Sequence, residues 1–140
     1  MNLQNEKCVM VFDESLPYGI IANAAAIMGI TLGKYKPEYV GKPVVDQEQY
    51  EHLGIITIPV PILKTNSEKL KDMREILYTP QFQDLTVVDF SDIAQSCNIY
   101  DEYIKKASQT MEKDFHYFGI AISGPKKLVN KLTGSLPLLR

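Results

Sequence analysis

KCVMVFDESLPYGIIANAAAIMGITLG, from Lys7 to Gly33, decides the fold. Cys8 to Phe12 form an unbroken apolar run, the mark of a strand covered on both faces, over residues 7–13. Asp13 ends the run with a charge, and Ser15, Pro17 and Gly19 interrupt any regular pattern. An alanine-rich segment follows, which predicts a helix over residues 19–33 with Gly33 as its C-cap. Ile20, Ala24, Ile27 and Thr31 share one side of it, and Ile21, Ala25, Met28 and Leu32 lie beside them. So wide an apolar stripe fits a helix laid on a sheet. Open α/β sheets place their crevices outside the carboxyl ends of strands, so the handover from this strand to this helix is the expected place for a site.

Outward from that unit, the chain repeats the theme. Pro59 and Pro61 exclude a central strand through both, which puts the next strand at residues 60–64. Thr65-Asn66-Ser67 supplies capping chemistry for a helix at residues 67–78, stopped by Pro80. LTVVDF, residues 85–90, is a third buried strand, with a helix at residues 99–110 after it. FHYFGIAIS, residues 115–123, is a fourth strand in which Gly119 signals close packing or a bulge. KKLVNKL is a short last helix behind Gly124-Pro125, and Leu136, Leu138 and Leu139 make an apolar tail expected to dock. Residues 34–46 read as irregular, Tyr50 and Leu53 as anchors of a short helical turn, and residues 1–6 as frayed.

Four strands interleaved with four helices, without repeat or linker, give one α/β domain over residues 1–140. The expected architecture is a three-layer α/β/α sandwich around a four-stranded mixed, mostly parallel sheet, with room for an antiparallel strand near Pro59 or after Thr110.

The chain has 140 residues and a net charge of -2, which gives no bulk attraction to nucleic acid. No stretch reaches the roughly 18 apolar residues of a membrane span, and the polar opening MNLQNEK carries no secretory signal, so a cytoplasmic location without membrane attachment is expected. Cys8 and Cys97 have no disulfide signature. There is no GxGxxG, no GxxxxGK[ST] and no GxSxG, and His52 and His116 lack partners at metal-ligand spacing, so neither a cofactor nor a metal is expected.

The pattern CVMVFDESLPYGIIANAAAIMG, then LTVVDFSD, then FGIAISGPKKLVNKLTGSLPLL resembles a bacterial domain-of-unknown-function family, number 2000 of its kind. The resemblance implies the fold of the type-II peptidyl-tRNA hydrolases. The resemblance implies that Asn23 matches the glutamine of their small-small-glutamine signature, that Asp89 matches the aspartate of their Asp-Ala-Gly, and that Thr133 and Gly134 fall on their closing Thr-Gly-x-Leu. The lysine that precedes the glutamine is absent, since Gly19 and Ile20 stand there. Loss of that cation and the acidic net charge both weaken the case for tRNA cleavage, whereas the fold carries over more readily.

Candidate site residues follow from both readings. Asn23 is an amide in an apolar helical run that either holds a substrate carbonyl or water, or bonds a neighbouring loop. Asp13 and Asp89 each end a strand; as neighbours they would form an acid-base pair, and as helix caps they would be structural. Asn23, Asp13 and Asp89 are the catalytic candidates, provided they open onto one hollow. Ser91 and Asp92 are weaker versions of the same case. Tyr18 beside Gly19 either stacks on a ligand ring or caps the core beneath the turn. Lys126 and Lys127 open a helix where an anion could bind, or are simply solvated. Two further functions compete with an ester or amide hydrolase: a non-catalytic, homodimeric module for a small ligand or for regulation, and an RNA-binding module of tRNA-like ligands without turnover.

Overall fold

The structure is a computed structural model that describes residues 3–140. Of the segment expected to fray, Met1 and Asn2 lie outside the described residues; Leu3–Asn5 form a turn of 3-10 helix and the first strand, β1, spans Glu6–Asp13. Every residue of β1 from Cys8 onward is buried, as its unbroken apolar run requires. Helix α1 spans Tyr18–Tyr35. It runs through Gly33, against the expected C-cap there, and closes at Lys36, whose N–H donates to the Leu32 carbonyl at 2.7 Å. Pro37 is what stops it, because the residue before proline is pushed out of helical geometry.

The expected helical turn around Tyr50 and Leu53 is absent. A small hairpin stands there instead, β2 (Val44–Val45) against β3 (Glu51–His52). Asp46 builds its turn: Oδ1 accepts from the Glu48 and Tyr50 N–H groups at 2.9 and 3.0 Å, and Gln49 takes a φ of 72°. Side-chain turn chemistry here outweighs the apolar spacing of Tyr50 and Leu53. Strand β4 (Ile62–Thr65) begins just after Pro61, and the Asn66 side chain caps α2 (Ser67–Leu77) by accepting from Lys69 N at 2.8 Å. Strand β5 (Thr86–Ser91) leads into two short helices, α3 (Asp92–Gln95) and α4 (Tyr100–Ser108). Strand β6 (Tyr117–Pro125) and α5 (Lys126–Thr133) complete the fold.

The sheet order is β4-β1-β6-β5, with β1 and β4 parallel and β6 antiparallel to both β1 and β5. The expectation of a mostly parallel sheet is therefore wrong: two of the three pairings are antiparallel. The reason lies in α4. Read from sequence it looks like a crossover helix, but none of its residues is buried, and it does not cover a sheet face. Without a covering crossover the chain returns through α3 and α4 to the end of the sheet it left, where Asp92 N–H meets His116 O, and β6 enters between β1 and β5 as an antiparallel strand.

Strand alternation divides the interior in two. Val9, Val11, Ile120 and Ile122 pack against Leu70 and Met73 of α2 and Val129 of α5. Cys8, Met10, Phe12 and Ala121 pack against Ile21, Ala24, Met28 and Leu32 of α1. Gly119 is held to glycine by closeness, since a Cβ there would stand 2.7 Å from the Phe12 ring. The sheet register slips beside it, between Phe90 and Ser91. The tail lies along the outer edge of β4, where Leu139 N–H donates to Ile62 O at 2.9 Å and Lys64 N–H to Pro137 O at 3.0 Å. Among the described residues the outer edge of β5 takes no backbone partner.

Candidate functional site

Strands β1, β4 and β5 point the same way, so Asp13, Thr65 and Ser91 end at one margin of the sheet. Asp13 is buried there, and its Oδ1 accepts from the Ser15 N–H at 2.9 Å and the Ser15 hydroxyl at 2.7 Å. It fixes the turn into α1. Asp89 sits two strands away, beyond β6, which is about 10 Å across the sheet. Its Oδ2 accepts from Arg74 Nε at 2.7 Å, and the same guanidinium lies 3.9 Å from the centre of the Tyr78 ring. Burial, followed by the charge of Asp89, raises the pKa of the nearby Tyr103 hydroxyl. Asn23 is exposed on α1, which covers the opposite sheet face from α2 and Arg74. The three candidates do not share a hollow. Asp89 borders one of about 490 Å³ at the β5 edge, between α1 and α4, that neither Asn23 nor Asp13 lines.

The remaining candidates are equally dispersed. Tyr18 borders a hollow of about 320 Å³ beside Lys64 and Arg140, and Gly19 has open space around it. Asp92 is tied to the start of β6: its Oδ1 accepts from His116 N–H, and its own N–H donates to His116 O, both at 2.9 Å. Ser91 is fully buried, with its Oγ unpartnered. Lys126 borders a third hollow with Lys7 and Glu6, while Lys127 is exposed at the start of α5. Thr133 is buried and donates to Val129 O at 2.7 Å, and Gly134 N–H closes α5 on Asn130 O at 2.8 Å. That pair ends a helix. Among the described residues no group of three or more His, Cys, Asp or Glu is placed to hold a metal ion, and no helix is long and apolar enough to cross a membrane. Cys8 and Cys97 are both free.

Residues 6–140 match the family described as "Protein of unknown function (DUF2000)". The chain belongs to DUF2000. A solved structure of the protein of unknown function Atu0240, from Agrobacterium tumefaciens strain C58, superposes with a TM-score of 0.85 over 96% of this chain and 97% of that one, at 16% identity. That likeness shows a shared fold. No curated protein matches the chain. DUF2000 membership thus supplies a family and a fold, and function has to be read from this chain's own surfaces.

Two surfaces went unseen in the sequence. The first is the outer side of α1. No charged residue stands between Glu14 and Lys34, yet only Ile21, Ala24, Met28 and Leu32 of this helix are buried. Ala22, Asn23, Ala26 and Ile30 face solvent, and Ile30 is 78% exposed. The absence of charge is the available signal, but a stripe this wide reads equally well as a helix face laid wholly on a sheet. The second is a hollow of about 260 Å³ between α1 and the segment after it, floored by Cys8 and Met10. Burial pushes the Cys8 thiol up to about 11, partly offset by the Lys36 ammonium. The Tyr39 hydroxyl at the same place is pushed up to about 12, chiefly by burial.

Proposed function

We propose that the chain is a non-catalytic binding module that works as a homodimer, paired through the outer side of α1. One observation carries this reading: an 18-residue helix turns an uncharged side, rich in alanine and isoleucine, to water. A helix that meets solvent normally carries charge there, and a contiguous apolar patch marks an interaction site. Small side chains at Ala22 and Ala26 let a second helix approach closely, with Ile30 as the larger anchor. Asn23 is the polar group within that patch, and an amide in an apolar helix pair favours one register, since its partner must be another amide. Ile27, at the margin, and Ile99 and Tyr100, next to the β5 edge, extend the patch.

A hydrolase related to the type-II peptidyl-tRNA enzymes would need Asn23 and the two aspartates around one bound carbonyl. The Ser15 bonds to Asp13, the Arg74 bond to Asp89 and the exposure of Asn23 support binding over turnover. Sedimentation velocity tests the reading. The wild-type chain sediments as a dimer at tens of micromolar, and Ile30→Glu, at a site exposed in the monomer, sediments as a monomer with an unchanged circular dichroism spectrum. A wild-type chain that stays monomeric at hundreds of micromolar overturns the dimer. Hydrolysis of peptidyl-tRNA or an N-acyl ester that is lost in Asn23→Ala overturns the non-catalytic assignment.

A further inference from the structure

We propose that the hollow between α1 and the segment of residues 39–60 binds a small, uncharged, elongated apolar molecule with one hydrogen-bonding end. This goes beyond the dimer and does not depend on it, because the hollow is lined within one chain.

The first argument concerns what keeps the space open. One wall is formed by Gly29 and Gly33, one turn apart on α1. Glycine weakens a helix interior relative to alanine, so two of them need a reason. Backbone geometry is not that reason, since neither has a positive φ. Crowding is not either: a Cβ at Gly33 would meet nothing within 4 Å, and one at Gly29 only the terminal methyl of Met10 at 4.0 Å. What the missing side chains do is leave volume.

The second argument is that the roof is fixed in place. Val40 and Ile56 form an antiparallel bridge. Thr57 N–H donates to Tyr39 O at 2.8 Å, and the Thr57 hydroxyl donates to the same carbonyl at 2.9 Å. Gly54 lies so close to the Gly41 carbonyl that a Cβ on it would stand 1.8 Å from the oxygen. The packed roof nevertheless leaves about 260 Å³ beneath it. That is about nine times the volume of a water molecule in the liquid, the size of a chain of about eight carbons and one oxygen.

The third argument sets the ligand's chemistry. The floor and roof, with Met10, Ile56 and Val60, are apolar. The polar groups of the lining are on the adjacent residues Lys36 and Tyr39, which Glu6 and Glu38 back from outside it. The Tyr39 hydroxyl donates to Glu6 Oε1 at 3.1 Å, and Lys36 Nζ lies 3.4 Å from the same oxygen and 3.8 Å from Glu38 Oε1. Ser123, the register partner of Cys8 and so on its sheet face, is fully buried; its Oγ has no hydrogen-bond partner, although it is near enough to Tyr39 to lower that hydroxyl's pKa. One ammonium already answers two carboxylates, so a third anion would be repelled. A hydroxyl or carbonyl, by contrast, can accept from Lys36 or pair with the hydroxyls. A neutral polar terminus is therefore the one that fits.

Titration of the 15N-labelled full chain with 1-octanol, followed by NMR, tests this. Saturable shifts are expected at residues 8–10, 29–40 and 56–60, with octanoate, the same chain with an anionic end, binding at least tenfold more weakly. Gly33→Leu fills the hollow and should lower the affinity for 1-octanol more than tenfold. Gly33→Ala, which can hardly disturb folding, should lower it by a smaller, measurable factor. No saturation up to the solubility of octanol, or undiminished affinity in Gly33→Ala and Gly33→Leu, overturns the site. Octanoate binding as tightly as octanol overturns the assignment of a neutral end. Shifts that persist in the monomeric Ile30→Glu chain separate this result from the fate of the dimer.

Discussion

Arg74 and Asp89 show most sharply how a residue that reads as catalytic turns out to be held. Their side chains are 11% and 17% exposed, and a hydrogen bond of 2.7 Å joins them while the Tyr78 ring covers the guanidinium. A pair this sheltered is costly to break from one side, because the remaining charge keeps its desolvation without its partner. Arg74→Met should therefore lower stability by about 3 kcal/mol in urea unfolding. Arg74→Met with Asp89→Leu should recover most of that loss, because no charge is left unpaired. If the double variant is as unstable as the sum of its parts, the ion pair is not what holds these elements together. Asp13 has been made unavailable differently, by two hydrogen bonds from Ser15. In both cases the sequence places a carboxylate at the end of a strand, and only the fold shows what already occupies it.

At the scale of elements, apolar runs and capping chemistry made the buried strands and α2 legible. β1 is readable because it is apolar on both faces, and α2 because Asn66 and the apolar spacing agree on where it begins. The failures occurred where a local signal competed with a tertiary one. α4 has helix periodicity, but none of its side chains is fully buried, so periodicity could not say that the chain turns back instead of crossing over. Of the candidate site, residue types were legible and their convergence was not, since convergence depends on that strand order. The β2–β3 hairpin was missed because a single side chain, Asp46, directs it. The His52 hydrogen bond, at 2.8 Å, and then the Tyr50 N–H lower the pKa of Asp46. A lowered carboxylate contributes its stabilisation above its unfolded pKa and loses it as pH falls through the folded one. The hairpin should therefore hold at neutral pH and open below about pH 4, ahead of the core. Amide shifts of residues 44–52 that follow the global acid transition, with no earlier step, would contradict this.

At the scale of the whole molecule, both faces of one sheet are covered, and what remains distinctive lies on α1: an uncharged outer side and two glycines over a hollow. The α1 side of the core also contains two of the groups that make the molecule sensitive to base, and Tyr117, raised chiefly by burial, lies on the other side. Burial raises the Cys8 thiol from 9.0 to about 11 and the Tyr39 hydroxyl from 10.0 to about 12. Both groups are acids that lose charge-free burial when they ionise, so each contributes its stabilisation below its unfolded pKa. As pH rises from 9 towards 11 the unfolded chain releases the Cys8 proton first, and the contribution falls by about 3 kcal/mol. The Tyr39 loss follows between pH 10 and 12. Urea midpoints should thus be flat up to pH 8.5 and drop steeply above pH 9. In Cys8→Ala the absolute midpoint is free to fall with the lost packing, but the slope between pH 9 and 10 should flatten, because the groups still raised by burial, Tyr39, Tyr103 and Tyr117, are tyrosines that begin to release their protons at higher pH than a thiol. A slope identical in the two proteins would show that the thiol is already exposed to solvent in the native state. The closed floor of the hollow, on which the binding proposal stands, would then fail with it.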